Sequence, residues 1–147
     1  MKPTVHILVS LILALIFFPA FKFKVLFILV GGILIDIDHY LWYIFRYKSL
    51  DFLKAYQYFV ERSGRNRIME NYGILFIFHT WEFIIVAIIM SFYFDIALLF
   101  TMGFLVHFVL DMVFVYNVAG HPIANHSLIN WIYKAKFKKF KYNQEKF

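Results

Sequence analysis

Asp36, Asp38 and His39 stand within four positions at the end of an apolar run, Gly31-Gly32-Ile33-Leu34-Ile35. Further along the chain His79 and Glu82 are three residues apart, and His107 and Asp111 are four apart. Separations of three and four stack side chains on one face of a helix. Each of these groups lies in a stretch that is otherwise apolar. A charge at the centre of a membrane helix costs roughly 2.5–3.5 kcal/mol, so a concentration of such groups needs a compensating partner. Carboxylates and neutral imidazoles are natural ligands of a divalent cation, and the chain has no cysteine, so a metal site must use His, Asp and Glu. His6, Asp36, Asp38, His39, His79, His107 and Asp111 are therefore the candidate metal ligands, for one or more divalent ions of zinc type. Glu82 and Asp38 are the candidates for proton transfer. Asp38 falls off the face shared by Asp36 and His39 unless Gly31-Gly32 permits a distortion, and otherwise it stands behind the ligands.

Taken singly, each residue has a plainer role. His6 reads equally as an interfacial polar residue, His79 as an interhelical hydrogen-bonding group and Asp111 as the partner of a histidine. His121 and His126, near Gly120 and Pro122, read as solvent-exposed loop residues. Together, Asp36, Asp38, His39, His79, Glu82, His107 and Asp111, seven costly residues on three helices at one depth, read as a site.

The elements that must position them are apolar and long. The 147 residues are 63% hydrophobic, 22% aromatic and 16% charged, with a mean hydropathy of +0.71. This composition belongs to membrane proteins and sets aside a soluble domain. The expected fold is all-α: one polytopic membrane domain over residues 1–147, a four-transmembrane-helix bundle. Its spans are expected at about 4–21, 24–45, 72–93 and 96–118, each near the ~20 residues a bilayer core requires. Phe18-Pro19-Ala20 is not a small-x-small cleavage site, so the first stretch reads as a retained helix rather than a signal peptide. An amphipathic helix at about 50–61, with Leu50, Leu53, Tyr56 and Val60 on one face, is expected to lie on the membrane surface. A basic amphipathic tail runs from about 128 to 147. Its lysines alternate with Trp131, Tyr133, Phe137 and Phe140, a pattern that anchors to anionic lipid headgroups, and no nucleic-acid partner is expected despite a net charge of +6.

With four spans, 13 of the 15 Lys and Arg residues fall on one side and only Lys22 and Lys24 on the other. The positive-inside bias then puts both termini in the cytoplasm, at the inner membrane. On that topology the ionisable groups gather in the cytoplasmic half. The outer half holds little besides Asp95.

Gly-x-x-x-x-Asp-x-Asp-His at the end of a membrane helix, a histidine on the third helix and His-x-x-x-Asp on the fourth resemble the membrane-bound metal-dependent hydrolases of the LexA-regulated inner-membrane type. The resemblance covers most of residues 1–118. That family is distantly similar to the zinc-dependent phospholipase C and P1 nuclease superfamily, all-helical enzymes that cleave phosphoesters with metal ions held by His and Asp. The resemblance implies that His107 and Asp111 are the His-x-x-x-Asp ligand pair, that His6 is the early histidine, and that one of Asp36 and Asp38 bridges metals. Two departures stand out: Ile35 replaces the family's proline, and Phe78-His79-Thr80-Trp81-Glu82 keeps only one of the two histidines usual there.

These lines meet in a metal-dependent hydrolase at the cytoplasmic membrane face, cleaving a phosphoester of a lipid or lipid-like substrate with a metal-activated water. Arg46 and Lys48, joined by Arg65 or Arg67, are the candidate headgroup contacts. The rival class is a non-catalytic metal- or proton-binding membrane protein that transports ions or serves as a scaffold. The oligomeric state, the substrate and the number of metals are not legible in the residues.

Overall fold

The computed structural model describes residues 3–61, 75–119 and 126–137. Among the described residues seven α-helices run in order: α1 (Pro3–Phe21), α2 (Leu26–Ile33), α3 (Ile37–Tyr47), α4 (Phe52–Glu61), α5 (Trp81–Ser91), α6 (Asp95–Ala119) and α7 (Leu128–Phe137). Single 3₁₀ turns cover Lys22–Val25, Leu34–Asp36 and Ile77–His79. No strand occurs among the described residues. Two stretches are long and apolar enough to cross a membrane: Pro3–Tyr47, with a mean hydropathy of 2.4, and Asp95–Phe114, at 2.1.

The first stretch is a hairpin. Lys22 takes a left-handed conformation (φ 51°) where α1 ends, and the chain returns along itself. Phe18 then meets Phe23, Ala14 packs with Val25 and Ile28, and Ser10 faces Gly32. Lys24 pairs with Asp95 (3.1 Å), so the α1–α2 turn and the start of α6 share one end of the molecule.

The closest approach is between α2 and α6. A Cβ on Gly31 would collide with the Phe100 carbonyl, and one on Gly103 with the Ile28 carbonyl. Only glycine lets the two backbones lie this near, the device by which small residues pack membrane helices. Ile35, Ile84, Ala87, Phe104 and Phe108 fill the adjoining core. The outward faces of α1 and α5 are apolar too: Leu8, Leu15 and Ile16, and Ile85, Val86 and Ile89, are all at least half exposed. Such a surface suits hydrocarbon rather than water.

The second expected span, 24–45, is split into α2 and α3 by a 3₁₀ turn, and two other helices differ from expectation. In place of a continuous span over 72–93, α5 begins only at Trp81 and has 11 residues, about 16 Å of helix against a hydrocarbon core of about 30 Å. Thr80 sets the boundary. Its backbone is extended (φ −99°, ψ 151°), its hydroxyl donates to Ile77 O (2.8 Å), and the same oxygen accepts from Phe83 N–H (3.3 Å). That is an N-cap. Residues 62–74, including the expected start of this span, Arg65 and Arg67, lie outside the described residues. The expected surface helix starts at Phe52 because Asp51 caps it, its carboxylate accepting from Lys54 N–H (3.0 Å). That bond holds the Asp51 carboxyl below its usual range. Leu50, Leu53 and Tyr56 are exposed, as an interfacial face requires, while Tyr58 and Phe59 pack on Trp42 of α3.

Candidate metal centre

The helix carrying the Asp-x-Asp-His motif is broken where the motif begins. Ile33 departs from helical geometry (φ −125°, ψ −50°), and one 3₁₀ turn, Leu34–Asp36, rotates the chain before α3 starts. This is the distortion that Gly31-Gly32 were expected to permit. It lets Asp36 and Asp38 face the same interior, which a straight helix would forbid to residues two apart. α6 is regular there, and His107 and Asp111 stack as their spacing requires. His79 comes from the 3₁₀ turn before α5.

Asp36, His79, His107 and Asp111 converge. His107 Nε2 lies 3.4 Å from Asp36 Oδ1, 3.3 Å from Asp111 Oδ2 and 3.4 Å from His79 Nε2. His79 Nε2 lies 3.6 Å from Asp36 Oδ1 and 3.7 Å from Asp111 Oδ2. A small divalent cation with ligand bonds of about 2.0–2.2 Å sets tetrahedral ligands about 3.3–3.6 Å apart. Five of the six edges therefore come close to the length a tetrahedral ion demands, and the sixth, between the two carboxylates, is no longer than 4.8 Å.

The outer hydrogen bonds fix the imidazoles in the ligating tautomer. His107 Nδ1–H donates to the Gly32 carbonyl (2.9 Å), an acceptor only. His79 Nδ1–H donates to Asp38 Oδ2 (3.0 Å). In the neutral rings both Nε2 lone pairs then point inward, at each other and at two carboxylates. Four electron-rich atoms meeting at this range form an arrangement that a cation relieves, and orientation of ligating histidines by carboxylate and carbonyl groups is the usual outer layer of such sites. The residues present fit a metal ion.

Asp38 is a support for this set. Besides His79 it accepts from Phe78 N–H (3.2 Å) and from His39 Nδ1–H (2.7 Å). His39, expected among the ligands, is a neighbour of the four: its Nδ1 is taken by Asp38 and also lies 3.4 Å from Asp36 Oδ1. Its ring stacks on Phe76 (centroids 3.8 Å apart). Asp38, His39 and His79 form a second cluster of ligand-type atoms, in which the 2.7 Å between His39 Nδ1 and Asp38 Oδ1 is a hydrogen-bond length. His6 likewise stands just outside the four. Its Nε2 is 3.2 Å from Asp111 Oδ1, its ring stacks on His107 (3.9 Å), and its buried Nδ1 has no hydrogen-bond partner among the described residues. Asp36, with a side chain 35% exposed, and His39, 26% exposed, mark the open side, whereas His107 is fully enclosed.

Glu82, expected as general base or ligand, is elsewhere. His79 precedes α5 and Glu82 lies inside it, so their three-residue spacing does not put them on one face. The Glu82 carboxylate accepts from Ser127 Oγ–H (2.7 Å), Leu128 N–H (3.0 Å) and Ile129 N–H (3.3 Å), capping α7. Arg46 and Lys48 are exposed at the far end of α3, with Arg46 eight residues or about 12 Å beyond Asp38 along the axis. Lys48 closes the helix in a left-handed conformation (φ 54°).

His126 was expected to be solvent-exposed and is instead half-buried against the site. Its Nδ1–H donates to the His79 carbonyl (3.1 Å), and its own carbonyl accepts from Trp81 N–H (2.7 Å). Burial holds its imidazole below the usual range, in the neutral form. No spacing rule links position 126 to position 79, and the Gly32 carbonyl beneath His107 is equally invisible in a list of side chains. His121 lies outside the described residues. Comparison with family models, with curated proteins and with solved structures finds no match for this chain.

Proposed function

We propose that this chain is an integral inner-membrane, metal-dependent hydrolase that cleaves a phosphoester of a lipid or lipid-like substrate, with both termini cytoplasmic. The observation that carries the reading is the near-tetrahedral convergence of Asp36, His79, His107 and Asp111, with both imidazoles held in the ligating tautomer. A catalytic zinc keeps three protein ligands and one open position, so the partly exposed Asp36 carboxylate, at the open side, would yield its place to water. When bound, such an ion supplies Lewis acidity, making water nucleophilic near neutral pH and drawing charge from a phosphoryl oxygen.

The chain's own residues supply the rest. Asp36 and His39 border the open side, where a substrate enters. The Asp38–His39 pair has the geometry of an oriented base: Asp38 accepts the hydrogen bond of His39 Nδ1–H, which leaves Nε2 to accept and return a proton during hydrolysis. This role replaces the one expected of Glu82. Arg46, in the last turn of α3, and Lys48, just after it, would meet an anionic headgroup rather than the reacting phosphorus. Because apolar side chains face outward on α1 and α5, a lipid can approach without its acyl chains entering water. Resemblance to membrane-bound metal-dependent hydrolases supports the same reading.

Elemental analysis of purified protein, followed by a phospholipid hydrolysis screen, tests it. Stoichiometric zinc and hydrolysis that is lost in H107A are expected. Metal without hydrolysis, together with ion flux in proteoliposomes, would favour transport. Protein with no metal would sink the proposal.

A further inference from the structure

The segment after α6 is fastened to the segment that carries His79. Five hydrogen bonds join His126–Ile129 to His79–Glu82: His126 Nδ1–H to His79 O, Trp81 N–H to His126 O, and three to the Glu82 carboxylate from Ser127, Leu128 and Ile129. His79 needs this support. It sits in a 3₁₀ turn ahead of an extended residue, so the i→i+4 ladder that positions His107 is absent around it.

The fastened segment is also the start of α7. Glu82 satisfies the orphan N–H groups at that helix's N-terminus, where a negative charge is favoured. Downstream, α7 carries Lys134 and Lys136 in its last turn, beside Trp131 and Tyr133, with Ile129 70% and Ile132 49% exposed. Lysines interleaved with aromatic and aliphatic side chains match an anionic membrane surface, where each lysine contributes about fivefold in partition.

We propose that α7 senses anionic lipid and transmits its presence to the metal centre through the Glu82 clamp, so that docking of α7 on an anionic bilayer fixes His79 and tightens metal binding. This rests on the metal reading above. Coupling between two sites is reciprocal, so bound metal also strengthens docking of α7.

The test uses the full chain in nanodiscs, either of phosphatidylcholine alone or mixed with phosphatidylglycerol, with Zn²⁺ titrated against a chromophoric chelator. Wild-type protein is expected to bind Zn²⁺ about fivefold tighter in the anionic discs, within the usual range of such couplings. K134Q/K136Q is expected to shrink that ratio while keeping the wild-type affinity in neutral discs, a control that leaves the clamp intact. E82A and the milder S127A are expected to reduce it by weakening the clamp. Amide exchange in α7 is expected to slow when zinc is added in anionic discs. Zinc binding of equal affinity in both discs, or a ratio kept at full size in the lysine and clamp variants alike, would overturn the coupling and leave the metal reading standing. Failure to bind zinc in either disc would overturn both.

Discussion

Replacing Asp38 by Asn separates the candidate metal centre from the proposed proton-transfer pair. Asp38 is nearly buried and accepts three hydrogen bonds, from His79 Nδ1 (3.0 Å), His39 Nδ1 (2.7 Å) and Phe78 N (3.2 Å). An amide keeps one acceptor. His79 and Phe78 share Oδ2, so the amide oxygen goes there and the NH₂ group turns toward His39. His79 then keeps its ligating tautomer but loses the charge that raises its basicity. Loss of such a partner costs about 10–100-fold in metal affinity, or about 1.4–2.7 kcal/mol. His39 fares worse. Facing an N–H donor, it must move its own proton to Nε2, and the atom assigned to accept a proton no longer can. D38N is therefore expected to bind zinc within 100-fold of wild type in a chelator competition, yet to hydrolyse at a background rate even at saturating zinc. H107A, lacking a ligand, is expected to lose both together. Wild-type turnover in metal-saturated D38N would refute the assignment of His39, and unchanged zinc affinity would refute the support given to His79.

Three further outcomes follow from the geometry. G31A and G103A are expected to destabilise the protein by about 1–3 kcal/mol and to weaken metal binding, because each new methyl meets a backbone carbonyl and pushes α2 from α6; G32A, which meets the Ser10 side chain, is expected to be milder in the same thermal-unfolding and zinc-titration assays. T80A removes the α5 cap and is expected to cost about 1 kcal/mol by denaturation in mixed micelles, with a further loss of zinc affinity because the same hydroxyl braces the turn holding His79. Adding a strong chelator to zinc-loaded protein is expected to lower the unfolding temperature, since zinc at 100 times its Kd contributes about 2.7 kcal/mol; H107A is expected to show no such shift.

The apolar character, the helical class and a helix after the motif were legible in the chain itself, because each depends on local composition and on residues near in sequence. His107 and Asp111 were legible for the same reason: α6 is an unbroken helix, and a four-residue spacing fixes their alignment whatever packs around them. Where the helix breaks, spacing ceased to inform. The 3₁₀ turn at Leu34–Asp36 brought Asp38 into the interior, and the Thr80 cap placed His79 outside α5 and turned Glu82 toward α7. Tertiary structure alone decided which of the candidates converge, because that depends on the close glycine contact of α2 with α6 and on a return of the chain at His126 that no local pattern encodes. Residue types named the candidate ligands; the distances between helices chose the four side chains that converge.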